Sequence, residues 1–223
     1  MLNQSPHRFL FLLIALVAFV AVVPVLEGLG HGRMIFTIFY STILLSAAYA
    51  VSESRGYFIL ALILAGPAFV LRWINNFLAG PWLVFVADVL TVLFLLLIAM
   101  LILSHVLKAE RVSKEKIFGA LSVYLLLGVI WAFLFIIVEF LMPGSFRYGQ
   151  GALTGAEMVY YSFVTLTTLG YGDIVPISPS VRALATLEAL TGQLYLTVLV
   201  ARLVGLQITH SIRGNRAKDQ EKS

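Results

Sequence analysis

Thr167-Thr168-Leu169-Gly170-Tyr171-Gly172-Asp173 is a run whose residue types are hard to account for as packing inside an apolar chain. Gly170 and Gly172 reach backbone conformations that residues with a side chain adopt only at a cost. Alternating such glycines lets successive carbonyls point the same way, towards one axis, and Thr168 can add its hydroxyl oxygen below them. Oxygens stacked in rings along an axis replace the water shell of a dehydrated cation. A Gly-Tyr-Gly alone is a common turn composition. The run gains weight from its place, at the end of a short segment between two long apolar ones.

Those flanking segments belong to a membrane protein. The chain has 223 residues, 61% hydrophobic and 12% charged, with a mean hydropathy of +0.99. A soluble domain of this size could not hide that much apolar surface. Six segments reach the ~20 apolar residues that a spanning helix needs: Phe9–Leu26, Met34–Val51, Tyr57–Leu78, Trp82–Leu107, Ile117–Leu141 and Pro179–Ile208. Gly155–Thr167 is shorter and, at about 1.5 Å per residue, crosses only part-way. Such a half-crossing is allowed where its backbone is buried in protein or faces water. The expected fold is an all-α membrane protein, with six transmembrane helices plus one re-entrant helix.

Lysine and arginine orient it. With a cytoplasmic amino terminus, Arg8, Arg55, Lys108, Arg111, Lys114, Lys116, Arg213, Arg216, Lys218 and Lys222 lie inside, and Arg33, Arg147 and Arg182 outside. The bias follows the positive-inside rule and makes both termini cytoplasmic. The net charge of +4 therefore reflects topology, not a nucleic-acid partner. The first apolar segment is too long for a typical signal-peptide core, and no small-x-small cleavage site precedes Glu27. The chain has no cysteine, which excludes disulfides and thiolate metal sites.

The Thr-x-Gly-Tyr-Gly-Asp run in this membrane context resembles the selectivity filter of tetrameric potassium channels, with Leu169 where the commonest form has Val. The resemblance is strong from Ile117 to Ile208 and topological before it. It implies that K+ is held at Thr168, Leu169, Gly170 and Tyr171, with Gly172 completing the filter. One filter segment per chain implies a homotetramer, in membrane lipid, most naturally the plasma (cell inner) membrane, with no cofactor beyond the permeant K+. The filter would open outward, in agreement with the independent charge bias. The implied division is a four-helix region over 1–110, a pore domain over 111–208 and a short basic tail over 209–223. That tail is too short for a nucleotide- or calcium-binding regulatory domain.

Within the pore segment, Thr154-Gly155-Ala156-Glu157 fits a capping box that starts the re-entrant helix. The helix's carboxyl end, near Thr167, then points into the membrane, where its dipole favours a cation. Tyr160 and Tyr161 stand where the resemblance places a pair of pore-helix aromatics. Asp173 stands just outside the filter, where a carboxylate often bonds a partner behind it. One family pattern supplies a glutamate four residues before the filter threonine; here that residue is Val164, so the Tyr160 hydroxyl is the candidate. The alternative makes both tyrosines interfacial belt residues. Ser178-Pro179 opens the inner helix as N-cap and first residue. Gly192 matches the family's hinge glycine, and close packing through a small residue is the alternative. Glu188, one turn earlier, is costly in a membrane helix and needs a partner. It is expected behind the re-entrant helix, near Thr165 or Thr167, as a structural hydrogen bond in preference to a proton sensor.

The fourth apolar segment, Trp82–Leu107, holds no Lys or Arg. Each charge moved through the field contributes only about 2.3 kcal/mol per 100 mV, so voltage sensing needs several; this departure from the voltage-gated pattern predicts a voltage-independent channel. Arg72 and Asp88, each about 10 Å in from a helix end, suggest an intramembrane salt bridge, or else a polar cavity shared with Asn75 and Asn76 that could hold a ligand or lipid headgroup. Pro67, behind Gly66, is expected to kink the third helix. The histidines, at 7, 31, 105 and 210, are scattered, and no catalytic constellation appears. A secondary transporter would predict repeated broken helices, of which there is one filter segment and no second copy. A weakly selective cation channel is opposed by the intact Gly-Tyr-Gly.

Overall fold

The structure, a computed structural model, describes residues 7–27, 32–52, 55–78, 80–108, 113–149 and 153–220, with side chains up to 205 and without that of Glu27. Arg111, Lys222 and His31 lie outside the described residues, as do the side chains of Arg213, Arg216, Lys218 and His210. Six helices are long and apolar enough to cross a membrane. They are α1 (Arg8–Glu27), α2 (Gly32–Ala50), α3 (Arg55–Ile74), α4 (Pro81–Leu107), α5 (Lys114–Leu141) and α7 (Pro179–Gln220), with the short α6 (Gly155–Leu166) between the last two. The protein is an all-α membrane protein. Its extended structure among the described residues is one antiparallel pair, β1 (Phe146–Arg147) with β2 (Val175–Pro176).

The helix ends follow local chemistry. Pro81 opens α4 where its missing N–H costs nothing. The Ser113 side chain caps α5 through the Lys116 amide. After α5, Gly144 takes a φ of +80°, and the Glu139 carboxylate accepts from the Gly144 and Ser145 amides at 2.8 and 3.0 Å. That clamp turns the chain into β1, and the β pair ties this loop to the one behind the filter run.

Helices α1 to α4 form a bundle in which α1 packs on α2, α2 on α3 and α3 on α4; α4 and α1 both lean on α5 of the same chain. Helices α5, α6 and α7 pack on one another as a second unit. At its far end, the Arg202 side chain of α7 donates to the Leu107 carbonyl at the end of α4.

Two expected boundaries move. Helix α3 ends at Ile74, not Leu78, because Asn75 and Asn76 turn the chain and the Asn75 Oδ1 takes the Gly80 amide at 3.2 Å. Arg72 therefore sits in the last turn of α3. Helix α7 continues past Ile208 to Gln220, so the polar tail is helical over most of its length. Helix α3 runs through Pro67 without interruption.

Candidate functional site

Helix α6 begins with the full capping box: the Thr154 Oγ1 accepts from the Glu157 amide at 3.2 Å, and the Glu157 carboxylate accepts from the Thr154 amide at 2.8 Å. Its other end meets the filter run directly. The Val164 carbonyl accepts from both the Leu169 and Gly170 amides, at 2.9 and 3.2 Å, and the Thr165 carbonyl from the Thr168 amide at 2.9 Å. The Thr168, Leu169 and Gly170 amides thus face α6.

The backbone of the run alternates. Thr168, Gly170 and Gly172 have φ values of +60°, +59° and +77°, whereas Leu169 and Tyr171 are not in the positive region. Alternation between left- and right-handed conformations gathers successive N–H groups on one side and leaves the carbonyls for the other. With the amides against α6, the carbonyls turn away from it. Thr168 holds its left-handed conformation without being glycine, alone among the described residues; such strain costs about 1–3 kcal/mol and collects at functional sites. Sequence reasoning assigned the alternation to the glycines and missed Thr168. The Thr168 hydroxyl donates to the Thr167 carbonyl at 2.6 Å, leaving its lone pairs, and the Thr167 hydroxyl donates to Phe163 O at 2.6 Å.

Behind the run, the two tyrosines part. The Tyr160 hydroxyl donates to Asp173 Oδ2 at 2.7 Å, and Asp173 Oδ1 accepts from the Ile174 amide at 3.0 Å. The Tyr160 hydrogen bond is the largest of the effects that hold the Asp173 carboxyl below its ordinary range. Tyr161 is buried in an edge-to-face cluster with Phe135 and Phe146, each ring centroid 5.1 Å from its own. Phe146 is brought there by the β pair.

Glu188 on α7 is fully buried, and its partner is Ser162 Oγ, not Thr165 or Thr167. Thr167 is a turn too far along α6 and bonds its own helix. Ser162 Oγ also lies 2.7 Å from the Gly128 carbonyl of α5, so three helices meet at one hydroxyl. Serine gave no signal in the sequence because it commonly bonds its own helix. One turn on, a Cβ at Gly192 would come within 2.3 Å of the Leu166 carbonyl. Helix α7 runs unbroken there, and this close approach gives Gly192 a packing reason to be glycine.

Arg72 and Asp88 are both buried, with Nη2 3.0 Å from Oδ1. The guanidinium also lies 5.0–5.6 Å from the rings of Tyr40, Phe36 and Phe133. Asn76 donates to Thr37 Oγ1 at 3.3 Å, and Thr37, Asn75 and Arg72 line one cavity. Among the described residues, no group of three or more His, Cys, Asp or Glu could hold a metal ion.

Residues 119–206, from α5 through the filter run into α7, match the family model described as "Ion channel". Among curated proteins, the chain is 32% identical over 97 residues to an inward rectifier potassium channel, Kirbac3.1, of Paramagnetospirillum magnetotacticum, covering 42% of this chain and 30% of that protein. It is 33% identical over 92 residues to a voltage-gated potassium channel of Aeropyrum pernix, covering 41% and 28%. It is 32% identical over 85 residues to two pore potassium channel c of Oryza sativa subsp. japonica, covering 34% and 19%. The chain thus spans under a third of the length of each of these relatives. No solved structure matches. Residues 119–206 are thus similar to an ion-channel family, and the curated relatives of this region named here are potassium channels.

Proposed function

We propose that this chain is one subunit of a homotetrameric, potassium-selective channel that conducts passively through Thr168–Gly172 and is not gated by a charged fourth helix. The positive φ at Thr168, Gly170 and Gly172, with the Leu169 and Gly170 amides on Val164 O, carries the reading. It supports carbonyls that line an axis and take the place of hydration water around K+. One chain supplies one edge of each oxygen ring, so four are needed. Leu169 and Tyr171 stand exposed on the single chain, as do Leu187, Leu190, Leu194 and Val198 along one side of α7; neighbouring copies would cover such surfaces. Asp173, Tyr160, Tyr161, Thr167 and Glu188 would hold the filter from behind. Helices α1–α4, residues 1–110 with their connections, would be an accessory bundle at the periphery in contact with lipid, with both termini cytoplasmic.

Reversal potentials of the reconstituted protein test this. Equal concentrations of opposed K+ and Na+ are expected to give a large reversal potential, negative on the K+ side. A potential near zero with verified channel current would refute selectivity. Gly170→Ala and Gly172→Ala are expected to abolish selectivity or current, because a side chain at positive φ is strained. Native mass spectrometry is expected to count four chains.

A further inference from the structure

A cavity of about 510 Å³ lies where α2, α3, α4 and α5 meet the amino-terminal end of α6. Its polar lining comes from Arg33, Thr37, Arg72, Asn75 and Thr154, and no carboxylate lines it. Arg33 is exposed and has no acidic partner among the described residues. Arg72 is nine-tenths buried, yet its Nε has no hydrogen-bond partner. Its ion pair with Asp88 runs from Nη2 to Oδ1, an oxygen without an aligned hydrogen bond. A guanidinium has five N–H donors, so Asp88 leaves this one far from satisfied, and the three aromatic rings around it keep it from swinging out to water.

Further donors surround the space. Asn75 uses its carbonyl on Gly80 and keeps its NH2 group. The capping box occupies the Glu157 and Thr154 amides, leaving those of Gly155 and Ala156 without a partner inside the helix, at the positive end of its dipole. The remaining walls are apolar, including Phe36, Val84 and Ile136. One cation without a carboxylate (Arg33) and a second engaged by Asp88 through Nη2 (Arg72), beside further donors and apolar walls, complement an oxyanion carried on an apolar body. Guanidinium forks favour phosphate for its geometry as well as its charge.

We propose that this cavity binds a phosphate group: the phosphodiester headgroup of a phospholipid in the leaflet on the filter-mouth side, held by Arg33 and Arg72 beside the start of α6. Free phosphate from solution is the other source of the same chemistry. The occupant would touch the accessory bundle and the pore helix at once. The binding test needs no ion conduction, so its outcome is separable from that of the channel reading.

The assembled protein is delipidated, and retention of phosphatidylglycerol is measured by native mass spectrometry against diacylglycerol with the same chains and no phosphate. Inorganic phosphate is titrated separately as a competitor. Phosphatidylglycerol is expected to be retained and diacylglycerol lost. Arg33→Gln, an exposed change that leaves the core intact, is expected to weaken retention by about tenfold, the scale of one charge-assisted hydrogen bond. Asn75→Ala is expected to weaken it less. Binding of inorganic phosphate alone, lost in Arg33→Gln, would support the site and assign its source to solution. Equal retention of both lipids, retention unchanged in both variants, or no binding of either phosphate probe would overturn the proposal.

Discussion

Ser162 Oγ lies between the Gly128 carbonyl and the Glu188 carboxyl, and it has one hydrogen for two oxygens. A carbonyl can only accept and the hydroxyl has one hydrogen to give, so a protonated Glu188 would supply the second hydrogen. No cation pairs with Glu188 among the described residues, and an unpaired buried charge is costly. Glu188 thus ties α7 to α6 through Ser162, which also ties α6 to α5, and a neutral Glu188 is the expected state.

That arrangement distinguishes two substitutions. Glu188→Gln keeps a donor for Ser162 and is expected to assemble with little change in thermal stability. Glu188→Ala removes the donor and leaves a cavity, and is expected to lose about 2 kcal/mol or more per chain. Infrared difference spectra are expected to show a protonated-carboxyl stretch that Glu188→Gln removes. Absence of that band in the native protein would contradict the proton assignment.

Gly192 and Gly205 provide a matched pair on α7. A Cβ at Gly192 meets a main-chain carbonyl, whereas at Gly205 nothing lies within 4 Å. Gly192→Ala must push α6 away and is expected to destabilise by about 1–3 kcal/mol. Gly205→Ala is expected to be neutral or to stabilise by about 0.5–1 kcal/mol through helix propensity. Thermal unfolding of the detergent-solubilised protein checks both. If Gly192→Ala leaves stability unchanged and alters only gating, the hinge reading is preferred to packing.

The parts of the fold set by membrane physics were legible in the sequence. Six spans and one half-span follow from apolar length, and Thr154 and Glu157 marked the start of α6. Partnerships set by helix rotation were not. Hydropathy is blind to Ser162 as the partner of Glu188, since any α6 position on the α7 side would have served. The end of α3 was hidden because Phe77 and Leu78 extend the apolar run beyond the turn that Asn75 makes. Thr168 gave no hint of positive φ, a conformation set by the hydrogen bonds of its neighbours to α6.

On the proposed reading, Asp173 links filter support to pH. Its folded-state pKa lies below the unfolded value, chiefly through Tyr160, so the tie stabilises the filter at neutral pH, above the usual carboxylate range of about 4. That stability is lost as pH falls through the depressed folded value. Acidification on the filter-mouth side is expected to leave K+ selectivity intact until well below pH ~4. Tyr160→Phe removes the donor, and is expected to move the onset of acid sensitivity upward. Currents recorded during acid titration of both proteins test this; identical profiles would show that the hydrogen bond does not support the filter.

Voltage can drive a conformational change only by moving charge, at about 2.3 kcal/mol per elementary charge per 100 mV. Helix α4 carries no Lys or Arg, only His105 in its last turn. Arg72 is held by Asp88 and enclosed by three rings, so moving it would break a buried pair at a cost of about 3–5 kcal/mol. Single-channel open probability is therefore expected to vary weakly between about −100 and +100 mV, far short of the several charges a voltage sensor moves. Block by internal ions bends current–voltage curves without gating, which is why open probability is the quantity to record. Asp88→Asn is expected to destabilise by a similar ~3–5 kcal/mol because it strands the guanidinium, whereas Arg72→Met with Asp88→Leu is expected to restore most of the loss. A steep voltage dependence in the native protein that disappears in this double variant would transfer the sensor role to Arg72 and refute the reading of the pair as structural.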